Sequence, residues 1–488
     1  MPLSAIKVKG TIDHNMLAES QPNVLLITVD CLRYDHLGCF GYPKETSPHI
    51  DDIAGRGAAF SQCISNGANT SAAFPSILAS ALPPIVESEH KDIIQKHVKL
   101  AEVFKEAGYN TAAFHSNPLL TRYRHYDKGF DTFDEGWSKS PRFLKFRIKV
   151  AEGILKVISN RHILTMIARL ANFADSLLFA SRIKKPYAYA EELTSQARTW
   201  LDCTPGKFFL WLHFMDVHVP YMPPQKYIRL FHGKPVSTLR IAHLWRKVRW
   251  NTRALTRSEI DETVELYDAS IRYVDDSIGQ LINYLGDRLE NTLVVIAADH
   301  GDEFAEHGRT SHLTVYDGIL RVPLILMGKG INPGCRITSQ VGIMDMAPTM
   351  LELAGINKPD TFKGCSLLPL LKGNMQTGRG VVSVYTPFGI VGPEETMLYV
   401  MFAYRTPSMK YIRTVLAEQP GQLVSEEIYD LQQDPSERHN LHGSNDVEIT
   451  RFKQEAVMAI EQLVEEKRQS RTSLEKLRIR QALKKLRA

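Results

Sequence analysis

Four short runs of apolar residues stand out along the chain because each run is continuous and does not alternate with polar positions. Such runs are typical of strands buried on both faces of a parallel sheet. Helical periodicity lies between them, as in 99–107 and 258–285. Strands alternating with helices predict a doubly wound α/β fold with a parallel sheet. The four predicted strands are Val24–Val29, Phe208–Phe214, Thr292–Ala298 and Val322–Met327.

Residues that can bind a metal ion follow two of these predicted strands. Asp30 closes the first strand, and Asp299 with His300 follows the third. Ligands of open α/β sheets bind at the carboxyl ends of the strands, so these side chains are expected to meet. Two carboxylates and an imidazole suit a divalent cation. The sequence therefore predicts a metal site formed by Asp30, Asp299 and His300.

Further imidazoles are expected near the same crevice. His213, Asp216 and His218 form an H-x-x-D-x-H motif at the end of the second strand, and Pro220 and two further prolines follow. Prolines favour an extended loop, so His218 is expected to point into the crevice. His312 lies shortly before the fourth strand. One histidine is more often a core residue, but several at one sheet edge favour chemistry.

Composition excludes a disordered or fibrous protein. Of 488 residues, 44% are hydrophobic and 23% are charged, which is typical of a folded globular chain. No apolar run reaches the roughly 18 residues of a spanning helix, and no signal peptide is recognisable at the N-terminus. The six cysteines lack paired C-x-x-C spacing. We therefore expect reduced thiols and a cytoplasmic protein.

The net charge of +5 is small, but the basic residues are clustered. Residues 142–185 carry ten basic side chains against two acids, 226–257 carry nine and no acid, and 471–488 carry seven and one acid. One interpretation is solvated helix faces. The other is a cationic lid that attracts an anionic substrate or an anionic membrane surface. Nucleic-acid binding is not expected, because no recognised nucleic-acid module accompanies these residues.

Five ordered blocks of sequence carry a resemblance to a known family. On these blocks the chain resembles the sulfatase family, the arylsulfatase-like branch of the alkaline phosphatase superfamily. The resemblance spans about 22–441. The blocks are Asn23–Tyr42 (NVLLITVDCLRYDHLGCFGY), Ala297–Gly308 (AADHGDEFAEHG), Arg321–Ile325 (RVPLI), Val341–Ile356 (VGIMDMAPTMLELAGI) and Ile428–Leu441 (IYDLQQDPSERHNL).

The resemblance implies an alkaline-phosphatase-like fold: a large mixed sheet flanked by helices, with a smaller C-terminal α+β subdomain. The implied organisation is an N-terminal extension (1–21), a catalytic domain (22–356), a C-terminal subdomain (357–445) and a basic C-terminal helix (446–488). Basic helical insertions are expected at about 139–186 and 225–257. The implied function is metal-dependent hydrolysis of a sulfate ester or a related phosphoester, with an anionic small molecule or glycan as substrate.

The resemblance also assigns roles to single residues. Asp30, Asp299 and His300 are expected to hold a divalent cation, calcium in the first instance, with Mg²⁺, Mn²⁺ or Zn²⁺ as alternatives. His312 falls where the family places a basic residue facing the transferred group. His218 matches a histidine that contacts substrate or acts as general acid. The remaining expected substrate contacts are His115 and His213.

The nucleophile motif C/S-x-P-x-R is degenerate in this chain. Aligning the motif on Pro75 and Ser76 puts Ala73 at the nucleophile position and Ile77 at the arginine position. Cys31 stands where the family has a second acidic residue. Three explanations stay open: Thr70 or Ser71 supplies the nucleophile after a shift of one helical turn, a water activated by the metal attacks directly, or the protein only binds an anionic ligand. A transferase that moves a phospho-substituent onto a cell-surface glycan is a further alternative.

Overall fold

The computed structural model describes residues 21–136, 185, 187–250, 255–374, 379–387, 399–417, 419 and 421–486. The expected N-terminal extension, apart from Gln21, lies outside the described residues. The same holds for the expected insertion at about 139–186, apart from Lys185.

A nine-stranded sheet forms the centre of the described chain. Its strand order is β4-β3-β5-β1-β6-β7-β2-β8, and β9 also pairs with β2. Every residue of β5 and β6 is buried, as expected for strands covered on both faces. The strands are β1 (Asn23–Val29), β2 (Ala58–Ile64), β3 (Asn110–His115), β4 (Thr132–Asp134), β5 (Phe208–Phe214), β6 (Thr292–Ala298), β7 (Arg321–Met327), β8 (Cys335–Ile337) and β9 (Val341–Gly342).

All four strands predicted from apolar runs are present, but the fourth does not run parallel to its neighbour. β7 pairs antiparallel with β6, whereas β1 pairs parallel with both β5 and β6. The chain leaves β6 at its carboxyl end, crosses that edge of the sheet over 299–320 and re-enters the sheet from the same edge. Without a crossover helix to carry the chain to the opposite edge, an antiparallel return is the only short connection. The sheet is therefore mixed.

Helices connect the strands and pack on the sheet. The predicted helices at 99–107 and 258–285 are present with slightly different ends. The helices are α1 (Pro48–Gly55), α2 (Thr70–Ala79), α3 (Glu87–Lys96), α4 (Leu100–Glu106), α5 (Ala190–Cys203), α6 (Gln225–His232), α7 (Thr238–Trp250), α8 (Arg257–Leu285), α9 (Asp317–Leu320), α10 (Met346–Leu353), α11 (Leu368–Leu371) and α12 (Val447–Leu486). In the described part of the chain, none of them combines the length and the apolar composition that a membrane-crossing helix needs. The six cysteines form no disulfide.

The basic segment at 225–257 forms α6 and α7, and two of its cations are paired with acids of α8. Arg240 contacts Glu262 at 2.7 Å, and Lys247 contacts Glu259 at 2.7 Å. These pairs take up part of the positive charge that the sequence shows in this segment. At its C-terminal end α7 reaches the connection after β6, because the Thr310 hydroxyl donates a hydrogen bond to the Val248 carbonyl at 2.7 Å.

A second, four-stranded antiparallel sheet packs against the first. Its strands are β10 (Val381–Tyr385), β11 (Tyr399–Arg405), β12 (Met409–Leu416) and β13 (Leu423–Asp430). An apolar cluster joins the two sheets, with Ile64, Ile319 and Leu320 on one side and Ala403 and Ile412 on the other.

A buried ionic network lies beside this apolar cluster. Asp317 at the start of α9 accepts from the Arg405 guanidinium at 2.8 Å and from Lys410 Nζ at 3.0 Å, and Lys410 also contacts Glu437 at 2.7 Å. Burial raises the pKa of Asp317, but the adjacent Arg405 and Lys410 outweigh burial and hold that pKa well below its usual range. The carboxylate of Asp317 therefore stays charged and ties the second sheet to α9.

Removing the Asp317 carboxylate is expected to destabilise the protein strongly. The change Asp317→Ala leaves Arg405 without its acid partner in a buried position, which costs roughly 3–5 kcal/mol of unfolding free energy. Denaturant unfolding of the purified variant measures this loss. The exposed pair Arg56–Asp52 supplies the control, since Asp52→Ala is expected to change stability within the error of the measurement. A loss below about 1 kcal/mol for Asp317→Ala would contradict the structural role of the network.

Candidate active site

The carboxyl ends of β1, β5 and β6 bring the predicted metal ligands together. Val29 pairs with both Phe214 and Ala298, so the residues that follow these three positions lie at one level of the sheet edge. One ligand atom each of Asp30, Asp299 and His300 lies within 4.8 Å of the others, and all three residues are fully buried.

The orientation of His300 leaves one ring nitrogen available to a metal ion. Its Nδ1 lies 2.9 Å from the Gly301 carbonyl oxygen, which only accepts, so Nδ1 carries the hydrogen. The lone pair is then on Nε2, which lies 3.4 Å from Asp299 Oδ2 and 3.9 Å from Asp30 Oδ1. Metal-binding histidines typically donate their second N–H in this way.

One oxygen of the Asp299 carboxylate has no hydrogen-bond partner among the described residues. Asp299 Oδ2 is buried and accepts no hydrogen bond from the described residues. Burial raises the pKa of Asp299, and the negative charge of Asp30 raises it further. Burial lowers the pKa of His300, but Asp299 and Asp30 outweigh burial and raise it above its usual value. An unpartnered buried oxygen beside a second carboxylate is the environment that a bound divalent cation would neutralise, so the residues present fit a metal ion.

Asp30 is held by neutral and imidazole groups. Asn117 Nδ2 donates to Asp30 Oδ2 at 2.9 Å, and His213 Nε2 lies 3.4 Å from the same oxygen. Burial raises the pKa of Asp30, but the hydrogen bond with His213 and the charges of His218 and His300 lower it well below its usual range. Asp30 is therefore a carboxylate ready to bind a cation.

Thr70 is the hydroxyl residue that the fold brings to these acids. Its Oγ1 lies 3.4 Å from Asp30 Oδ2 and 3.4 Å from His300 Nε2. Thr70 is the first residue of α2, and Asn69 caps the helix by accepting a hydrogen bond from the Ala72 amide at 3.0 Å. The first amides of a helix have no intrahelical acceptor, and the helix dipole favours an anion there.

The other two positions considered for the nucleophile make no hydrogen bond to the acids. Ser71 Oγ is buried and has no hydrogen-bond partner among the residues described. Ala73 is fully buried in the main apolar core, next to Phe74. Aligning the motif on Pro75 therefore selects a residue one helical turn too far along α2, on the face that packs into the core.

The loop before Thr70 is fixed from two directions. The Ser65 hydroxyl donates to the Asp299 carbonyl at 2.5 Å, which ties the loop to the metal-ligand segment. Asn69 Nδ2 donates to the Thr386 carbonyl at 2.8 Å, which ties it to the end of β10. Gly67 lies so close to the backbone of α2 that a Cβ would meet Ala72 and Ala73 atoms at 2.3 Å. The position of Thr70 is therefore set by both sheets.

Two histidines flank the cluster on its more open side. The rings of His218 and His312 lie 5.3 Å apart, and His312 lies 4.4 Å from the His300 ring. His218 Nδ1 lies 2.6 Å from the Val219 carbonyl, so His218 presents Nε2 to the crevice. His312 Nδ1 lies 3.7 Å from Asp302 Oδ1. Burial lowers the pKa of His312 to about 4, with a further contribution from His300.

His115 and His213, the predicted substrate contacts, lie among aromatic side chains. Both are fully buried, as the three predicted metal ligands are. His115 stacks on Trp211 at 5.6 Å and packs edge-on against Phe133, while the His213 ring packs against Phe74. Contact of these two histidines with substrate stays a prediction.

Asn117 and Cys31 complete the surroundings of Asp30. Sequence analysis did not single out Asn117, although its position just after β3 was a usable signal. Cys31 stands in the left-handed region, with φ of 61°, and its Sγ lies 3.2 Å from Asp30 Oδ1. Burial raises the pKa of the Cys31 thiol, and Asp30 raises it further, so Cys31 is a neutral neighbour in place of the family's second acid.

Comparison with known proteins establishes the family. The sulfatase model matches residues 22–356, and the model "N-sulphoglucosamine sulphohydrolase, C-terminal" matches 305–466. The chain therefore belongs to the sulfatase family, whose members are sulfuric ester hydrolases and generally use a divalent metal ion.

Relatives and solved structures agree with this assignment. Arylsulfatase K of Homo sapiens is 23% identical over 468 residues, covering 90% of this chain and 82% of the relative. Arylsulfatase K of Xenopus laevis is 29% identical over 228 residues, but the match spans only 45% of this chain and 41% of the relative.

Two solved structures share the fold. Phosphonate monoester hydrolase of Agrobacterium radiobacter has a TM-score of 0.67 at 19% identity, covering 91% of this chain and 96% of that one. A protein in complex with its substrate D-glucosamine-2-N,6-O-disulfate has a TM-score of 0.66 at 19% identity, covering 91% and 97%.

Asp299→Asn is expected to abolish stoichiometric binding of a divalent metal, because it removes the charge of the carboxylate whose Oδ2 has no protein partner. Metal content of the purified, dialysed protein measures this, with a circular-dichroism spectrum to verify folding. Asp51→Asn is the matched control, since Asp51 is a partly buried carboxylate that accepts from the Cys39 amide away from the sheet edge. Equal metal content in Asp299→Asn and wild-type protein would refute the predicted site.

Proposed function

We propose that this protein is a metal-dependent hydrolase of an anionic ester that uses Thr70 as its nucleophile. The observation that carries the proposal is the position of Thr70 Oγ1, 3.4 Å from both Asp30 Oδ2 and His300 Nε2. The only other hydroxyl that sequence analysis offered, on Ser71, makes no hydrogen bond to the cluster. An alanine at position 73 therefore does not deprive the site of a nucleophile.

Asp30, Asp299, His300 and Thr70 are the residues that would hold the metal ion. When bound, such an ion supplies Lewis-acid stabilisation of the negative charge on the ester oxygens. The donor set contains an imidazole, and Ca²⁺ prefers six to eight oxygen ligands. Imidazole donors suit transition metals and Zn²⁺ better, so Mn²⁺ or Zn²⁺ fits this set better than the Ca²⁺ that the resemblance implied.

The chain's own residues account for the proton transfers. Thr70 Oγ1 attacks the sulfur or phosphorus atom of the ester, forming a bond from Oγ1, and the bond to the leaving oxygen breaks. Asp30 Oδ2 lies 3.4 Å from Thr70 Oγ1 and is the acceptor for the hydroxyl proton. The leaving alcohol takes a proton from His218, which faces the open side. Water then cleaves the threonine ester and releases the acid.

The threonine favours phosphorus over sulfur as the reacting centre. In the family motif C/S-x-P-x-R, the first residue becomes a formylglycine, whose hydrate has two hydroxyl groups on one carbon. A threonine ester has no second hydroxyl on its Cβ, so it cannot expel the bound group by breaking its own C–O bond. Release therefore needs a second attack at the transferred atom. Phosphodiesters and phosphonate monoesters are accordingly the first substrate class to test, and sulfate esters the second. The resemblance at the fold level to a phosphonate monoester hydrolase is consistent with this order.

Thr70→Ala is expected to lower kcat at least about 10³-fold, because it removes the covalent route. Thr70→Ser, which keeps the hydroxyl, is expected to stay within about tenfold of wild type. The assay uses 4-nitrophenyl esters of a phosphodiester, a phosphonate monoester and sulfate. Ser71→Ala is the matched control and is expected to retain turnover. Undiminished activity of Thr70→Ala would favour direct attack by water, and absence of turnover in the wild-type protein on all three esters would favour a protein that only binds anions.

Metal identity is tested separately by removing the ion with a chelator and adding back single ions. Mn²⁺ or Zn²⁺ is expected to restore more turnover and bind more tightly than Ca²⁺ or Mg²⁺, because one ligand is the His300 imidazole. Activity and calorimetric binding are both measured on the same preparation. Restoration by Ca²⁺ alone would contradict the preference inferred from the donor set.

A further inference from the structure

The loop that carries His218 is held by a tyrosine from a distant part of the chain. The Tyr187 hydroxyl donates to the carbonyl oxygens of both His218 and Pro220, the latter at 2.9 Å. A tyrosine has a single O–H, so the two carbonyls share one donor. This hydrogen bond fixes the backbone on both sides of Val219, whose own carbonyl accepts from His218 Nδ1 at 2.6 Å.

A buried ion pair anchors the segment that carries Tyr187. Lys185 Nζ contacts Asp216 Oδ1, and both side chains are only 1% exposed. The same carboxylate oxygen accepts from the Ala190 amide at 3.3 Å. Asp216 lies two residues before His218, so these contacts hold Lys185 and Ala190 against the loop after β5.

Aromatic rings surround the ammonium group of Lys185. Its Nζ lies 4.3 Å from the Tyr189 ring centroid, 4.9 Å from that of Tyr187 and 5.6 Å from that of Tyr273 on α8. Tyrosine faces attract a cation, and they exclude water that would screen the charge. Breaking one partner of a desolvated ion pair is costly, so the segment has one strongly preferred position.

We propose that Tyr187 is a positioning residue for His218: its hydroxyl fixes the backbone that sets where His218 Nε2 lies in the crevice. The inference rests on the proposed role of His218 as a proton donor to the leaving group. Nothing in the sequence motifs pointed to Tyr187, because it lies outside the blocks that resemble the family. Its effect on the reaction passes through His218 and not through contact with substrate.

Tyr187→Phe tests this, because it removes only the hydroxyl and keeps the ring beside Lys185. Phenyl and 4-nitrophenyl esters of one phosphonic acid are compared, since phenol is the poorer leaving group and depends more on protonation. We expect kcat for the phenyl ester to fall about tenfold or more, and kcat for the 4-nitrophenyl ester to change less than about threefold. KM, metal content and the unfolding midpoint are expected to stay at wild-type values.

Tyr189→Phe is the matched control. Tyr189 contributes a ring to the same cluster, but its hydroxyl donates no hydrogen bond to the residues that the structure describes. The variant Tyr189→Phe is expected to have the kcat of the wild-type protein with both esters. Identical kinetics for Tyr187→Phe and Tyr189→Phe would overturn the inference.

Two further measurements separate this inference from the proposed function. His218→Ala should show the same dependence on the leaving group, larger in size. If it does and Tyr187→Phe does not, the inference alone is wrong. If His218→Ala shows none, the role of His218 is wrong and the inference falls with it.

Hydrogen exchange of the amides at 215–222 needs no turnover: faster exchange in Tyr187→Phe than in Tyr189→Phe supports the inference, and equal exchange opposes it.

Discussion

Two carboxylates buried side by side are the constraint on which the site depends. Asp30 and Asp299 are both fully buried, and the charge of one raises the pKa of the other. Two negative charges in a low-dielectric interior are strongly unfavourable without a cation. The surrounding imidazoles and Asn117 supply only part of the compensation. The parallel pairing of β1 with β6 forces this proximity, so the fold and the need for a counter-ion have the same origin.

The second sheet contributes to the site even though it supplies none of the acids. Val384 in β10 exchanges backbone hydrogen bonds with the loop before α2, accepting from the Ala68 amide and donating to the Asn66 carbonyl, each at 3.0 Å. The Asn69 side-chain amide also donates a hydrogen bond to the Thr386 carbonyl. The ionic network around Asp317 keeps that sheet in place. The position of the Thr70 hydroxyl is thus determined by packing between the two sheets as much as by α2 itself.

The strands and the proximity of Asp30, Asp299 and His300 could be predicted from sequence because continuous apolar runs and acids at their ends are local signals. The direction of β7 could not, since it depends on where the connection of 299–320 re-enters the sheet. Sequence alone did not single out Thr70 as the nucleophile, because an alignment on Pro75 does not show which face of α2 packs into the core. Tyr187 was missed because its partners are backbone carbonyls, which leave no pattern in side-chain types.

The hydrogen bond between Thr310 and the end of α7 links the helices inserted between β5 and β6 to the segment that leads to His312. The inserted helices α6 and α7 are thereby linked to the segment that carries His312, but this hydrogen bond does not involve Asp30 or Asp299. Changes in the length or sequence of α6 and α7 can reshape the approach to His312 while Asp30 and Asp299 stay untouched. The inserted helices are therefore the part of the surroundings that can vary without disturbing the acids.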